Sequence, residues 1–379
     1  MKKQVERLKP KLQEIFEHLH KHPEISWQEV ETTNYIVKFL QQQGLQPVTF
    51  DDCTGLYVDI GQGKPIIGLR TDKYALWQEV DGQYCANHSC GHDGHMTMAI
   101  GVTLLLKEMA NELKGTVRIL FQPAEEKGKG AIRFVEKGAV DDLDYLFGVH
   151  VRPIQELADG TFAPAIYHGA ARLITGTIIG EEAHGARPHL GKNVIEIGAS
   201  LVEGLKQIHT DPMVPASIKL TQFQAGGASI NVIPGHATFS IDARAQTNDE
   251  MDTMMEGLQR VVAAVEKMYE AKVNLEIIGN VAAATVDHTA MQMMQQAIIE
   301  TVGPHACKPP IVTPGGEDFH FYTLLRPQIQ ATMLGLGCGL TPGLHHPNMS
   351  FNKEQLLTGV EILTRAILHA MKQERREKR

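Results

Sequence analysis

The chain reads as an α/β protein carrying a small inserted α+β domain, and three observations predict it. Strand-length apolar runs alternate with helical periodicity towards both ends of the sequence. The middle follows the order β-α-β-β-α-β, the ferredoxin-like pattern. At 379 residues the chain is also long for one core, so two domains are the natural expectation.

Taken in order, residues 4–20 place Val5, Leu8, Leu12, Ile15, Phe16 and Leu19 at three- and four-residue steps, an amphipathic helix. Residues 29–43 repeat the pattern up to Gly44, a suitable helix end. The runs LYVDI (56–60), PIIGLR (65–70), TVRILFQ (116–122), DYLFGVHV (144–151) and ATMLGLG (331–337) read as strands, with helices between them at 94–112 and 129–138. Several are apolar throughout, which a sheet covered on both faces requires. In the middle, RLITGTIIG (172–180), SIKLTQFQ (217–224), HATFSIDAR (236–244) and KVNLEII (272–278) read as strands, with helices at 192–209 and 248–270. The expected division is a larger domain of 1–171 and 282–379, with 172–281 inserted into it.

Composition narrows the function. A formal charge of −8 gives nucleic-acid binding no global support, and the basic tail KQERREKR (372–379) reads as a solvated helix end. Cys53, Cys85, Cys90, Cys307 and Cys338 are odd in number and scattered, unlike a disulfide framework. The N-terminal lysines precede no apolar signal region, and no stretch approaches the ~18 apolar residues of a membrane span. A cytoplasmic protein without membrane or nucleic-acid partners is expected.

In open α/β sheets ligands bind beyond the carboxyl ends of the strands. Asp72 follows PIIGLR, Glu125-Glu126 follow TVRILFQ, His150 lies near the end of DYLFGV, and His345-His346 follow ATMLGLG. A fifth segment, His88-Ser89-Cys90-Gly91-His92-Asp93-Gly94-His95, precedes a helix. Singly each signal is weak: a Glu-Glu pair is usually a solvated turn, a histidine at a strand end a structural residue, and a lone cysteine a small hydrophobe. Three His, one Cys, one Asp and two Gly in eight residues make a poor core and a good metal loop. The spacing fits neither a zinc finger nor H-E-x-x-H. Thiolate, imidazole and carboxylate together suit zinc, manganese or cobalt. Two such ions about 3.5–4 Å apart can activate water and polarise a carbonyl. A neighbouring carboxylate must then shuttle the proton. On extended backbone Glu125 and Glu126 point apart, so that one can bind metal and the other can serve as base.

Nine ordered segments resemble the amidohydrolase and aminoacylase branch of the dinuclear metallopeptidases, which includes hippurate hydrolase, auxin-conjugate hydrolases and bacterial amidohydrolases. They are LHKHPEISWQE (19–29), GLRTD (68–72), SCGHDGHM (89–96), FQPAEE (121–126), GVHV (148–151), AHGARPH (183–189), GGASINVIP (226–234), GGEDF (315–319) and LHHP (344–347). The resemblance implies a zinc-exopeptidase-like catalytic domain with a mixed sheet, and an inserted lid and dimerisation domain. It implies two metal ions held by Cys90, His92, Glu126, His150 and His345, with Cys90 bridging. Glu125 becomes the general base and acid, Asp72 an orienting carboxylate, and His184 an oxyanion-stabilising histidine that relatives supply from the partner subunit of a homodimer. Asn231 and Arg244 fall where relatives hold the polar end of the substrate. The implied reaction is hydrolysis of N-acetyl or N-aroyl amino acids. A metallo-dipeptidase and a metal-binding protein with impaired catalysis are the alternatives. Relatives usually read Asp-Met-Asp-Ala-Leu-Pro where this chain has Asp72-Lys73-Tyr74-Ala75-Leu76-Trp77. Tyr74 therefore replaces an acidic residue. His346 reads as a neighbour of the ligand His345, and His189 as a structural residue.

Overall fold

The computed structural model describes residues 1–373, so residues 374–379 of the basic tail lie outside the described residues. The chain forms two compact units. One comprises Met1–Tyr167, Thr285–Val312 and the chain from Asp318 onward; the other comprises His168–Ala284 with the short stretch Thr313–Glu317.

The first unit is built on a seven-stranded sheet in the spatial order Val48–Phe50, Cys53–Gly61, Thr116–Gln122, Ile66–Asp72, Tyr145–Pro153, Gln330–Leu340, Phe162–Ala163. The four strands from Thr116–Gln122 to Gln330–Leu340 are mutually parallel, while the outer strands on both sides pair antiparallel with their neighbours. The sheet is thus mixed, in agreement with the predicted fold class. The four parallel strands are the same four runs whose ends carry the candidate site residues, so their carboxyl ends share one rim. Every residue of Thr116–Gln122 is buried, which explains why Val117, Ile119, Leu120 and Phe121 are apolar and why Arg118 and Gln122 carry hydrogen-bond partners. The helix His92–Glu108 is likewise buried over its first four turns and therefore lacks a polar face. Helices Lys2–Lys21 and Glu354–Ala370 pack against it, and His288–Val302 packs against Glu354–Ala370. Val5, Leu12, Phe16, Ile100, Leu105 and Val360 join the strand side chains in one core.

The second unit is a four-stranded antiparallel sheet in the order Ala216–Ala225, His236–Ala245, Ala170–Ile179, Lys272–Val281. With the helices Val194–Leu205 and Asn248–Tyr269 this is the ferredoxin-like arrangement. Its separate core includes Ile174, Ile178, Leu201, Phe239, Met251 and Leu258. Both helices start on side-chain caps: Asn193 accepts from the Ile195 N–H and Thr247 from the Glu250 N–H. Among the described residues no helix is long and apolar enough to cross a membrane.

Candidate metal centre

The loop from His88 to Gly91 delivers Cys90 and His92 to the rim, and Gly91 makes its turn possible. Its φ is +81°, and a Cβ there would lie 2.6 Å from Val151 Cγ2. Cys90 Sγ sits 3.7 Å from His150 Nε2. The other ring nitrogen of His150, Nδ1, donates to the Val151 carbonyl at 2.7 Å. His92 repeats the device: Nδ1 donates to the Tyr74 carbonyl at 2.9 Å. Its Nε2 is buried without a hydrogen-bond partner, with Asp72 Oδ2 at 3.4 Å. A ring whose Nδ1–H is anchored on a carbonyl presents the Nε2 lone pair in a fixed direction, as metal-ligating histidines do. Burial pushes both imidazoles below their ordinary range, His150 strongly, so both are neutral and able to donate a lone pair.

Cys90, His92 and His150 bring their donor atoms within 4.8 Å of one another, and so do Cys90, Glu126 and His345. The thiol is common to both groups. His345 Nε2 lies 2.8 Å from Glu126 Oε1. That bond holds His345 above its usual pKa; burial works against the Glu126 carboxylate, yet the same bond keeps it below the usual range. The backbone of His345 adopts φ +65°, donates from its N–H to the Ser89 carbonyl at 2.7 Å and accepts from Gln78 Nε2 at 3.0 Å. His346 turns elsewhere, its Nδ1 accepting the Asn348 N–H at 3.1 Å.

Glu125 and Glu126 do diverge, but not because their backbone is extended. Glu125–Lys127 is a 3₁₀ turn entered through Ala124 at φ +51°, whose N–H is held by Glu29 Oε1 at 3.0 Å. With three residues per turn, successive side chains leave about a third of a circle apart. Glu125 Oε2 accepts the Tyr74 hydroxyl at 2.7 Å and Oε1 accepts the Asp318 N–H at 3.2 Å. Burial, followed by the Glu125 charge, pushes the Tyr74 phenol well above its usual pKa, which leaves it protonated as the donor.

A buried network supports this floor. Asp72 Oδ1 accepts from His95 Nδ1 at 2.8 Å, while His95 Nε2 accepts the Val151 N–H at 3.0 Å. An amide can only donate, so the His95 proton is on Nδ1 and both ring nitrogens are engaged. Although His95 lies within ligand distance of Asp72 and His92, it is therefore a support. Arg70 spans the network, reaching Asp72 Oδ2 at 3.2 Å, Asp318 Oδ1 at 2.8 Å and Gln122 Oε1 at 2.8 Å. Tyr322 donates to the same Gln122 oxygen at 2.8 Å. Burial opposes the charge of Asp72, but the Arg70 guanidinium and the His95 hydrogen bond hold it well below the carboxylate range. The sequence reading gave Arg70, His95, Gln122, Asp318 and Tyr322 no role. The first four lie inside GLRTD, SCGHDGHM, FQPAEE and GGEDF. A charge in a run that must be buried signals such pairing.

The remaining predicted residues lie on the second unit. His184 is on the two-residue strand Ala183–His184, paired with Val232–Ile233, and its Nδ1 accepts the Ala186 N–H at 3.0 Å. The Asn231 carbonyl accepts the Gly185 N–H at 2.8 Å, so Asn231 and His184 belong to one local cluster. Arg244 stands apart on His236–Ala245, its guanidinium forked onto Asp242 at 2.7 and 3.2 Å. His189 is exposed in a short 3₁₀ turn.

Residues 75–369 match the model of peptidase family M20/M25/M40. A protein of Synechocystis sp. named as a probable hydrolase is 31% identical, over 97% of each chain. An N-acetylcysteine deacetylase of Bacillus subtilis is 30% identical, over 89% of this chain and 91% of its own. The crystal structure of a Bacillus subtilis protein described as a dinuclear metal-binding peptidase superposes with a TM-score of 0.81 at 26% identity, covering 97% of this chain and 99% of that one.

Proposed function

The chain belongs to peptidase family M20/M25/M40, and from that membership we propose that it hydrolyses the amide bond of small N-acyl amino acids with two divalent metal ions. The observation that carries the reading is the Cys90 thiol shared by two ligand groups, with the Glu125 carboxylate outside both and linked to the Glu126 backbone through the Tyr74 hydroxyl. The donor set suits the ions: a buried, partnerless imidazole nitrogen on His92, a second anchored imidazole on His150, and carboxylate and thiol oxygen and sulfur donors favour zinc, manganese or cobalt. Cys90, His92 and His150 would hold one ion and Cys90, Glu126 and His345 the other.

Bound there, the ions supply Lewis acidity towards the scissile carbonyl and lower the pKa of water. Glu125 takes a proton from the attacking water as the oxygen–carbon bond forms. It returns that proton to the leaving nitrogen as the carbon–nitrogen bond breaks, giving a carboxylic acid and a free amino acid. Asp72 keeps His95 and the floor in register. On the second unit, His184 is assigned to stabilise the oxyanion, and Asn231 and Arg244 to bind the substrate carboxylate, for which an arginine fork is suited. Arg244 would exchange Asp242 for that ligand. The N-acetylcysteine deacetylase relative supports an acyl amino acid over a dipeptide. A homodimer is part of the proposal, and a mass in solution near 41.8 kDa would overturn it. So is a cytoplasmic location, which cell fractionation checks.

The test is a hydrolysis screen of the purified, metal-replenished protein over N-acetyl and N-aroyl amino acids and dipeptides. Turnover of acyl amino acids, abolished by a chelator and restored by manganese, zinc or cobalt, is expected. Turnover of dipeptides alone would move the assignment to a metallo-dipeptidase.

A further inference from the structure

Tyr74 touches three residues of the proposed centre. Its hydroxyl donates to Glu125 Oε2 at 2.7 Å and accepts the Glu126 N–H at 3.1 Å, while its carbonyl accepts from His92 Nδ1 at 2.9 Å. The ring is wholly buried, 4.5 Å from the His92 ring between centroids. With the Asp318 N–H on Oε1, each carboxylate oxygen of Glu125 has its own protein donor. Lys73 Nζ next to Tyr74 donates to Thr33 Oγ1 at 2.7 Å and to the Glu29 carbonyl at 3.2 Å. The Glu29 side chain in turn holds the Ala124 N–H at the entrance to the Glu125 turn. One residue, Glu29, thus braces both the segment bearing the phenol and the segment bearing the carboxylate.

An aspartate at position 74 has no proton to donate at neutral pH and would face Glu125 as a like charge. A phenol reverses the interaction, offering a hydrogen to an ionised oxygen. We propose that Tyr74 is a positioning residue for Glu125: its hydroxyl, held by the Glu126 N–H, fixes the carboxylate in a single orientation. The proposal rests on the reading of Glu125 as the proton shuttle.

Three variants, Tyr74→Phe, Tyr74→Asp and Glu125→Gln, are compared with the wild type after manganese loading, using the acyl amino acid the screen identifies. Tyr74→Phe keeps ring and backbone. Its kcat is expected to fall about 10- to 100-fold, the weight of a hydrogen bond to a charged group, with KM and metal content per chain unchanged. Its crystal structure should show the Glu125 side chain spread over more than one rotamer. Tyr74→Asp, which removes the donor and adds a charge, should fall below Tyr74→Phe. A wild-type kcat in either variant, a single wild-type Glu125 rotamer in Tyr74→Phe, or metal lost in step with activity would overturn the proposal. Turnover retained by Glu125→Gln would instead overturn the reading of Glu125 itself, and the positioning role with it.

Discussion

Cys90, His92 and His150 form a floor that is 4%, 1% and 6% exposed, whereas the His345 side chain remains 50% exposed and that of Glu126 28%. Each region presents imidazole, joined by a thiol in the floor and a carboxylate at the rim, and the two are held by different means. The floor hangs from sheet strands and a buried helix start, and each ring is steered by a backbone carbonyl. Beneath it, Arg70 pairs two buried aspartates. Removing one partner of such a buried network leaves an uncompensated charge, so substitutions beneath the floor should cost stability. The rim hangs from loops, one a left-handed turn at His345 and one a 3₁₀ turn at Glu125–Lys127. Its side chains are within reach of solvent, and substitutions there should cost function more than fold.

The comparison breaks first at Cys90, the one atom both regions share. Cys90→Ala should reduce metal content from two ions per chain to near none after gel filtration, read by elemental analysis. Two ions retained would place the thiol outside the centre. At Arg70 the expected loss is in stability. Arg70→Met leaves Asp72 and Asp318 buried without their cation and should cost about 3–5 kcal/mol in denaturant unfolding. A loss below about 1 kcal/mol would show that the floor does not depend on this network. The smallest effect belongs to the rim. His345→Asn, which tolerates the left-handed backbone, should destabilise the metal-free protein by less than about 1 kcal/mol, as exposed ion pairs do. The sign of its pH dependence follows from the pair. The Glu126 bond raises the His345 pKa, so that share of stability is complete below 6.5 and disappears as pH rises through the raised value. Glu126 is lowered, so its share is present above 4.5 and disappears as pH falls through the lowered value. The difference between variant and wild type should therefore be greatest between pH 4.5 and 6.5. A difference that grows above pH 8 would contradict the pairing.

The family was readable from the nine segments, and the matching family model and relatives bear that reading out. The α/β fold was readable too, because strands covered on both faces are largely apolar and thus declare themselves, as Thr116–Gln122 does. Residue types also brought five donor-bearing segments to one rim, since donor chemistry is a property of side chains and parallel strands end at one edge; the choice of Cys90, His92, Glu126, His150 and His345 among them came from the family resemblance. Tertiary structure alone decided how these groups are held. Arg70 meets Asp318 across 248 residues of sequence, a pairing no local pattern encodes. The divergence of Glu125 from Glu126 came from a left-handed alanine and a 3₁₀ turn, where an extended strand had been expected. In the sequence Tyr74 appears only as a lost acid. Its hydrogen bond to Glu125 exists because two separate segments are braced together by Glu29, and hydrogen bonds depend on ångström placement that composition and spacing do not carry.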